Sequence, residues 1–217
     1  MKSNKVYLAL SLAGLLTLSL PSFAQQARLN HYTLGEGLTF SKEKAYNINL
    51  RGYFQPYYEL KSYTDEGLDK SLQRFRMRRM RLRLSGEAAQ EKIEYRFQAD
   101  FSGTSETGDE SAGLLFDAWL AYNFTPKIKL AFGQKVTPTD NRELWMGSNT
   151  LMLVERSRVT SAFASIREFG LFADGTFRLR GGRYIRSYLT LTNGDGLNAF
   201  NSDHGGLKVG GRLDFLP

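Results

Sequence analysis

Cysteine is absent, and histidine occurs only as His31 and His204. Without a thiol there is no disulfide framework, no iron–sulfur or cysteine-zinc site and no thiol nucleophile. Two imidazoles are too few for a three-histidine metal site. Proline is scarce, with 5 residues. Beyond the first 24 residues no apolar run approaches the roughly 20 residues that a membrane-spanning helix needs. Acids are the minority charge, 22 against 29 Lys and Arg, a net +7. What the 217 residues do hold is 21 Gly, 15 Phe, 11 Tyr and 2 Trp. Many turn-forming glycines with many aromatics favour strands, because aromatic side chains suit a pleated surface.

The first segment reads as a leader. Lys2 and Lys5 precede an uncharged, mostly apolar stretch from Val6 to Leu20, and Pro21-Ser22-Phe23-Ala24 places small residues before Gln25. That is the pattern of a secretory signal peptide over residues 1–24, which leaves 25–217 as one domain. Loss of Lys2 and Lys5 lowers the net charge from +7 to +5. Export excludes nucleic acid as the partner of that charge, although a basic chain alone would suggest it.

A period of two runs along most of the remaining chain. In Asn47–Lys61, Ile48, Leu50, Gly52, Phe54, Pro56, Tyr58 and Leu60 share one parity, and Asn49, Arg51, Tyr53, Gln55, Tyr57 and Glu59 the other. This is a strand with one apolar and one polar face. Ile93–Phe101 repeats it, with Phe97 on the apolar side and Arg96 on the polar side. In Leu114–Phe124, Leu114, Phe116, Ala118, Leu120, Tyr122 and Phe124 oppose Asp117, Trp119, Ala121 and Asn123. Lys127–Lys135, Tyr184–Thr192 and Leu207–Phe215 follow the same rule, and Arg167–Arg180 follows it less cleanly. Short turns (Glu87–Glu91, Thr125–Pro126, Gly181–Arg183) alternate with long polar connections (Ser62–Ser71, Ser102–Gly113, Val136–Ile166, Asn193–Gly206). The fold class this predicts is all-β: an antiparallel up-and-down transmembrane β-barrel with about eight strands present, apolar parity to lipid and polar parity to the lumen. A soluble sandwich also alternates, but its strands are usually five or six residues long.

Arg74, Arg76, Arg78, Arg79, Arg81 and Arg83 place six arginines in ten residues. Phe75 and Met77 hold one apolar parity, and Met80, Leu82 and Leu84 hold the other, so the phase slips at Arg78-Arg79. A β-bulge there would absorb one residue and let both guanidiniums face the polar side. The lumen would carry a basic ladder of Arg76, Arg81, Arg83 and Arg96. Guanidinium is always charged and offers a planar fork of donors to oxyanions, and a cleft of one sign concentrates counter-ions. Two other readings are a solvated basic strand balanced by acids such as Glu94 and Asp100, and a basic amphipathic helix. The strict two-residue repeat disfavours the helix.

Several segments, in order, give the sequence a resemblance to a known family. They are Leu50-Arg51-Gly52-Tyr53-Phe54-Gln55, Phe75-Arg76-Met77-Arg78-Arg79-Met80-Arg81-Leu82, Glu94-Tyr95-Arg96-Phe97-Gln98-Ala99-Asp100-Phe101, Leu115-Phe116-Asp117-Ala118, Phe132-Gly133-Gln134, Leu153-Val154-Glu155-Arg156-Ser157 and Asn193-Gly194-Asp195-Gly196. Together, over about residues 37–217, the chain resembles the phosphate-selective porin O and P family. The resemblance implies a trimeric, sixteen-stranded outer-membrane barrel that passes anions, phosphate or polyphosphate in some members. It also implies a constriction built from a neighbouring Arg pair and an Asp, with a third loop folded inward. The pair matches Arg78 and Arg79, and the Asp matches Asp117, which the alternation separately assigns to the polar face. Two positions depart: a third constriction Arg falls at Tyr53, and a loop lysine falls near Glu143, with Arg142 beside it.

The eighth strand runs to Asp214-Phe215-Leu216-Pro217. With eight of sixteen implied strands, the sequence is expected to be the N-terminal half of a longer porin. A closed eight-stranded barrel has an interior just filled by side chains, and an unclosed half would bare two edges.

The remaining motifs are poor ones. Asn193-Gly194-Asp195-Gly196 lacks the later acids of a calcium loop and reads as a turn. No glycine-rich segment ends in Lys-Ser or Lys-Thr, and no positioned base accompanies the serines, so neither a phosphate-binding loop nor a hydrolase triad is expected. No enzyme activity, metal or cofactor is expected. Val136–Ile166 is long enough to be functional, and its Leu144, Trp145, Met146, Leu151, Leu153 and Val154 argue that it packs against the barrel interior. The function expected is passive diffusion of anions across the outer membrane, with the lipid bilayer and inorganic anions such as phosphate as partners and a homotrimer at full length. The alternatives are a non-conducting structural or adhesive barrel, and an outer-membrane enzyme, for which no clustered Ser/His/Asp set is present.

Overall fold

The structure is a computed structural model. It describes residues 28–29, 35–43, 45–62, 71–103, 115–140, 146–147, 150–151, 156–157, 159–160, 166–200 and 205–217. Residues 1–24, both histidines, Arg142 and Glu143 lie outside the described residues.

Ten strands are described: β1 (Arg28–Leu29), β2 (Leu38–Lys42), β3 (Tyr46–Ser62), β4 (Ser71–Ala88), β5 (Ile93–Asp100), β6 (Leu115–Thr125), β7 (Ile128–Val136), β8 (Arg167–Arg178), β9 (Tyr184–Thr192) and β10 (Lys208–Leu216). Every strand pairs antiparallel with its sequence neighbours in one open sheet ordered β1 to β10. Strands β3 to β10 are the eight expected from alternation. They are preceded by β1 and β2, whose 2 and 5 residues are too few for a period of two to stand out.

Turns β2–β3, β4–β5, β6–β7 and β8–β9 are short and share one end of the sheet; the long connections share the other. The alternation sorts as expected. Phe54, Phe97, Leu120 and Leu213 are 63, 50, 58 and 71% exposed on one face. On the other, Arg81 and Asp117 are 4 and 3% exposed. No second sheet covers the apolar face among the described residues. So broad an apolar surface calls for an apolar solvent, and strands of 9 to 11 residues such as β6, β7, β9 and β10 match the thickness of a bilayer. Among the described residues no helix is long and apolar enough to cross a membrane.

The inner face has its own small core. Ala121 of β6, Ala131 of β7 and Phe172 of β8 are register partners, and all three are buried, with Trp119 packed against them. Two alanines side by side leave the room that the Phe172 ring fills.

Candidate functional site

The site begins with a break in the β3–β4 ladder. Gln55 pairs with Arg79 and Pro56 with Met77, so Arg78 has no opposite residue. This is the bulge expected from the phase slip. Pro56 explains its place: a proline has no N–H to give the ladder, so a register shift there sacrifices no hydrogen bond. Phe75, 87% exposed, stays on the outer face, while Arg78 and Arg79 turn inward and are buried. Arg79 donates from Nη1 to Oε1 of Gln55 at 2.7 Å. Towards the loop end, Arg74 and Arg76 lie 2.5 and 3.7 Å from Glu59.

Two residue pairs below Arg79, towards the turns, a cavity of about 450 Å³ opens against the inner face. Strand residues Arg81, Arg83, Arg96 and Asp117 line it, together with Met146, Gly147, Thr150 and Arg156 from the connection after β7. These described residues of the connection therefore lie over the inner face; of the apolar residues expected to pack there, Leu144, Trp145, Leu153 and Val154 lie outside the described residues. The connection's first residues are fastened to the far wall: Thr139 and Thr190 hydroxyls are 3.2 Å apart, Arg212 donates to the carbonyl of Pro138 at 3.3 Å, and Lys208 bridges Asp140 at 2.8 Å and the buried Glu168 at 3.0 Å. Gly210 permits this crossing, since a Cβ there would meet Thr139 Oγ1 at 2.5 Å.

Among the described residues the cavity is lined by seven cations (Arg51, Arg81, Arg83, Arg96, Lys135, Arg156, Arg167) and two carboxylates, Asp117 and Asp174. Three of the cations have acid partners among the described residues. Arg81 holds the buried Asp100, Arg167 Nε lies 2.9 Å from Asp117 Oδ1, and Lys135 lies 3.2 Å from Asp174. Arg81 also donates to the Tyr53 hydroxyl at 3.0 Å. Arg83 and Arg96 form no ion pair with any described residue, and the Nε of each is buried without a hydrogen-bond partner. Arg96 instead lies 5.4 Å from the centre of the Trp119 ring, which Lys135 also approaches at 5.4 Å.

The cavity thus brings together Arg81, Arg83, Arg96 and Asp117 of the predicted site. Arg76, Arg78 and Arg79 are not among its lining residues, and Asp117 pairs with Arg167 rather than with Arg78 or Arg79. Arg51, Lys135, Arg156 and Arg167 were missed as site residues. For Arg167 no signal was available, because its strand alternates poorly. Phe116 requires a correction. Alternation placed it outside with Ala118 and Leu120. The β5–β6 register, however, shifts between Gln98, opposite Asp117, and Ala99, opposite Leu115. Phe116 is the extra residue. It is fully buried, with the Arg81 and Arg167 guanidiniums over its ring at 4.4 and 4.6 Å.

Compared with known proteins, the chain matches the family model described as "Phosphate-selective porin O and P" over residues 47–204. No curated protein matches it.

Proposed function

The chain belongs to the phosphate-selective porin O and P family, and from this premise we propose that it passes small inorganic anions down their gradient across the outer membrane through the arginine-lined side of its sheet. The observation that carries this reading is the imbalance around the cavity, seven cations to two carboxylates among the described residues. A path walled by one sign of charge raises the local concentration of counter-ions. Arg83 and Arg96, which form no ion pair with any described residue, supply donors that replace an anion's lost water. Pairing of Arg81, Arg167 and Lys135 with acids keeps the remaining charge from binding anions too tightly to release. Phosphate fits this chemistry because its three or four oxygens match forked guanidinium donors.

The test is the reversal potential of the intact, closed barrel in a planar bilayer under a potassium chloride gradient, repeated with potassium phosphate. Anion-over-cation selectivity that strengthens at low salt is the expected result. A cation-selective or non-conducting protein would overturn the reading and leave a structural or adhesive barrel.

A further inference from the structure

We propose that Phe116 is a positioning residue for the guanidiniums of the cavity, and that Gln134 holds it in place from the opposite face of the sheet. The link to permeation rests on the anion-channel reading above; the positioning itself does not.

The inner half of the relay is the ring. Arg81 and Arg167 come from strands on either side of β6, and both lie over Phe116, at 4.4 and 4.6 Å. Each is also held by a carboxylate, Asp100 for Arg81 and Asp117 for Arg167. A π face and an acid fix two different aspects of a planar group, so each guanidinium keeps one orientation. Donors that are already ordered bind an anion without the entropy loss of long, free side chains.

The outer half is a glutamine where alternation calls for an apolar residue. Gln134 shares the parity of Leu130 and Phe132, which are 37 and 54% exposed, yet is itself fully buried. Its Nε2 lies 2.9 Å from the carbonyls of both Leu115 and Phe116, the two residues at the register shift. Asn198 seals it, accepting from Nε2 at 3.1 Å and donating its backbone N–H to Oε1 at 2.8 Å. A bulge takes backbone carbonyls out of the ladder, and on a face that meets lipid no water is present to satisfy them. Gln134 supplies a donor to both carbonyls at the shift. With a hydrocarbon side chain there, both carbonyls would lose that donor, and the bulge would lose the contact that favours it. Phe116 would then return to the outer parity and leave both guanidiniums.

Phe116→Leu, Phe116→Tyr and Gln134→Leu variants in detergent micelles, each checked for folding by far-UV circular dichroism, test the proposal. The readouts are the Nε–H resonances of Arg81 and Arg167, assigned with Arg81→Lys and Arg167→Lys, and calorimetric titration with inorganic phosphate. In the parent both resonances should carry an upfield ring-current shift. Phe116→Leu should abolish the shift and weaken phosphate binding by about fivefold, the scale of one lost cation–π contact. Phe116→Tyr should keep both properties, and Gln134→Leu should behave as Phe116→Leu. Unshifted resonances in the parent, or phosphate affinity unchanged in Phe116→Leu, would reduce Phe116 to a space-filler. Parent-like shifts in Gln134→Leu would remove Gln134 from the relay. If Gln134→Leu does not fold, the parent and the two Phe116 variants still decide the positioning role. If the parent shows the shifts but binds no phosphate, the positioning stands and the anion-channel reading fails.

Discussion

Gln55 and Arg79 form the last regular β3–β4 pair before the register shifts at Pro56, and they are tied side chain to side chain at 2.7 Å. The bulge is thus pinned on one side by a hydrogen bond and on the other by a residue with no N–H to offer. It lets two neighbouring arginines face inward while Phe75 and Met80 both stay on the apolar face.

Deleting one of Arg78 and Arg79 should therefore be tolerated. The shortened sequence Phe75-Arg76-Met77-Arg79-Met80 alternates without interruption, and every apolar side chain keeps its face. Deleting Leu82 instead reverses the parity of everything on one side of it. The first deletion should fold in detergent with a parent-like far-UV spectrum and the second should not. Equal behaviour of the two would show that parity along β4 does not set its register.

Charge that faces the cavity and charge that is consumed by a partner should separate on mutation. Arg83→Ala with Arg96→Ala removes two cations that form no ion pair with any described residue. At an effective dielectric near 20, one charge about 4 Å from a monovalent anion is worth roughly 4 kcal/mol before screening. In a wet lumen a net loss nearer about 1.4 kcal/mol is expected, tenfold in occupancy. Anion-over-cation selectivity, read from the reversal potential, should fall severalfold and fall most at low salt. Arg78→Ala with Arg79→Ala should lower it in the same direction, from the buried level above. Parent-like selectivity at low ionic strength in both double variants would make these arginines structural.

Arg81→Ala should act on stability first. Its guanidinium and the carboxylate of Asp100 are both buried, and removal of one partner leaves the other uncompensated. Such losses run to about 3–5 kcal/mol. Arg81→Ala should lower the denaturant midpoint well below that of Arg83→Ala, and Asp100→Asn combined with Arg81→Ala should recover part of the difference. A loss no larger than that of Arg83→Ala would mean that water reaches Asp100.

Most of the fold was legible in the sequence because a half-buried sheet writes its two faces in alternate residues. Where alternation broke at Arg78-Arg79, the break itself announced the bulge. The bulge at Phe116 gave no such notice: phenylalanine is equally at home facing lipid or lying under arginines, so the pattern continues through a position where the chain does not. Its trace was Gln134, an amide on a lipid-facing parity, whose meaning depends on carbonyls contributed by a neighbouring strand. Asp117 was legible as inward, but its partner was not, since Arg167 stands 50 residues away at the ragged start of β8. Pairings across the sheet depend on register, and register is fixed by contacts that one-dimensional alternation does not contain.

Gly210→Val tests the crossing that shapes the cavity. At this position the connection after β7 passes so close to the wall that a Cβ would meet the Oγ1 atoms of Thr139 and Thr190, both at 2.5 Å. Neither threonine is a flexible tip that can swing away: they touch each other at 3.2 Å, and Thr190 is buried in β9. Valine suits the strand itself, so β10 should keep its pairing with β9 while Thr139 is displaced. The neighbouring fastenings, Lys208 to Asp140 and Arg212 to the Pro138 carbonyl, would be strained with it. In a bilayer the variant should show larger and noisier unitary conductance with weaker anion preference, because the segment bearing Arg156 no longer sits against the wall. The far-UV spectrum should stay that of the parent. Unchanged conductance with Gly210→Val folded would show that the segment adjusts without leaving the cavity, and that its hold on the lumen does not run through Thr139.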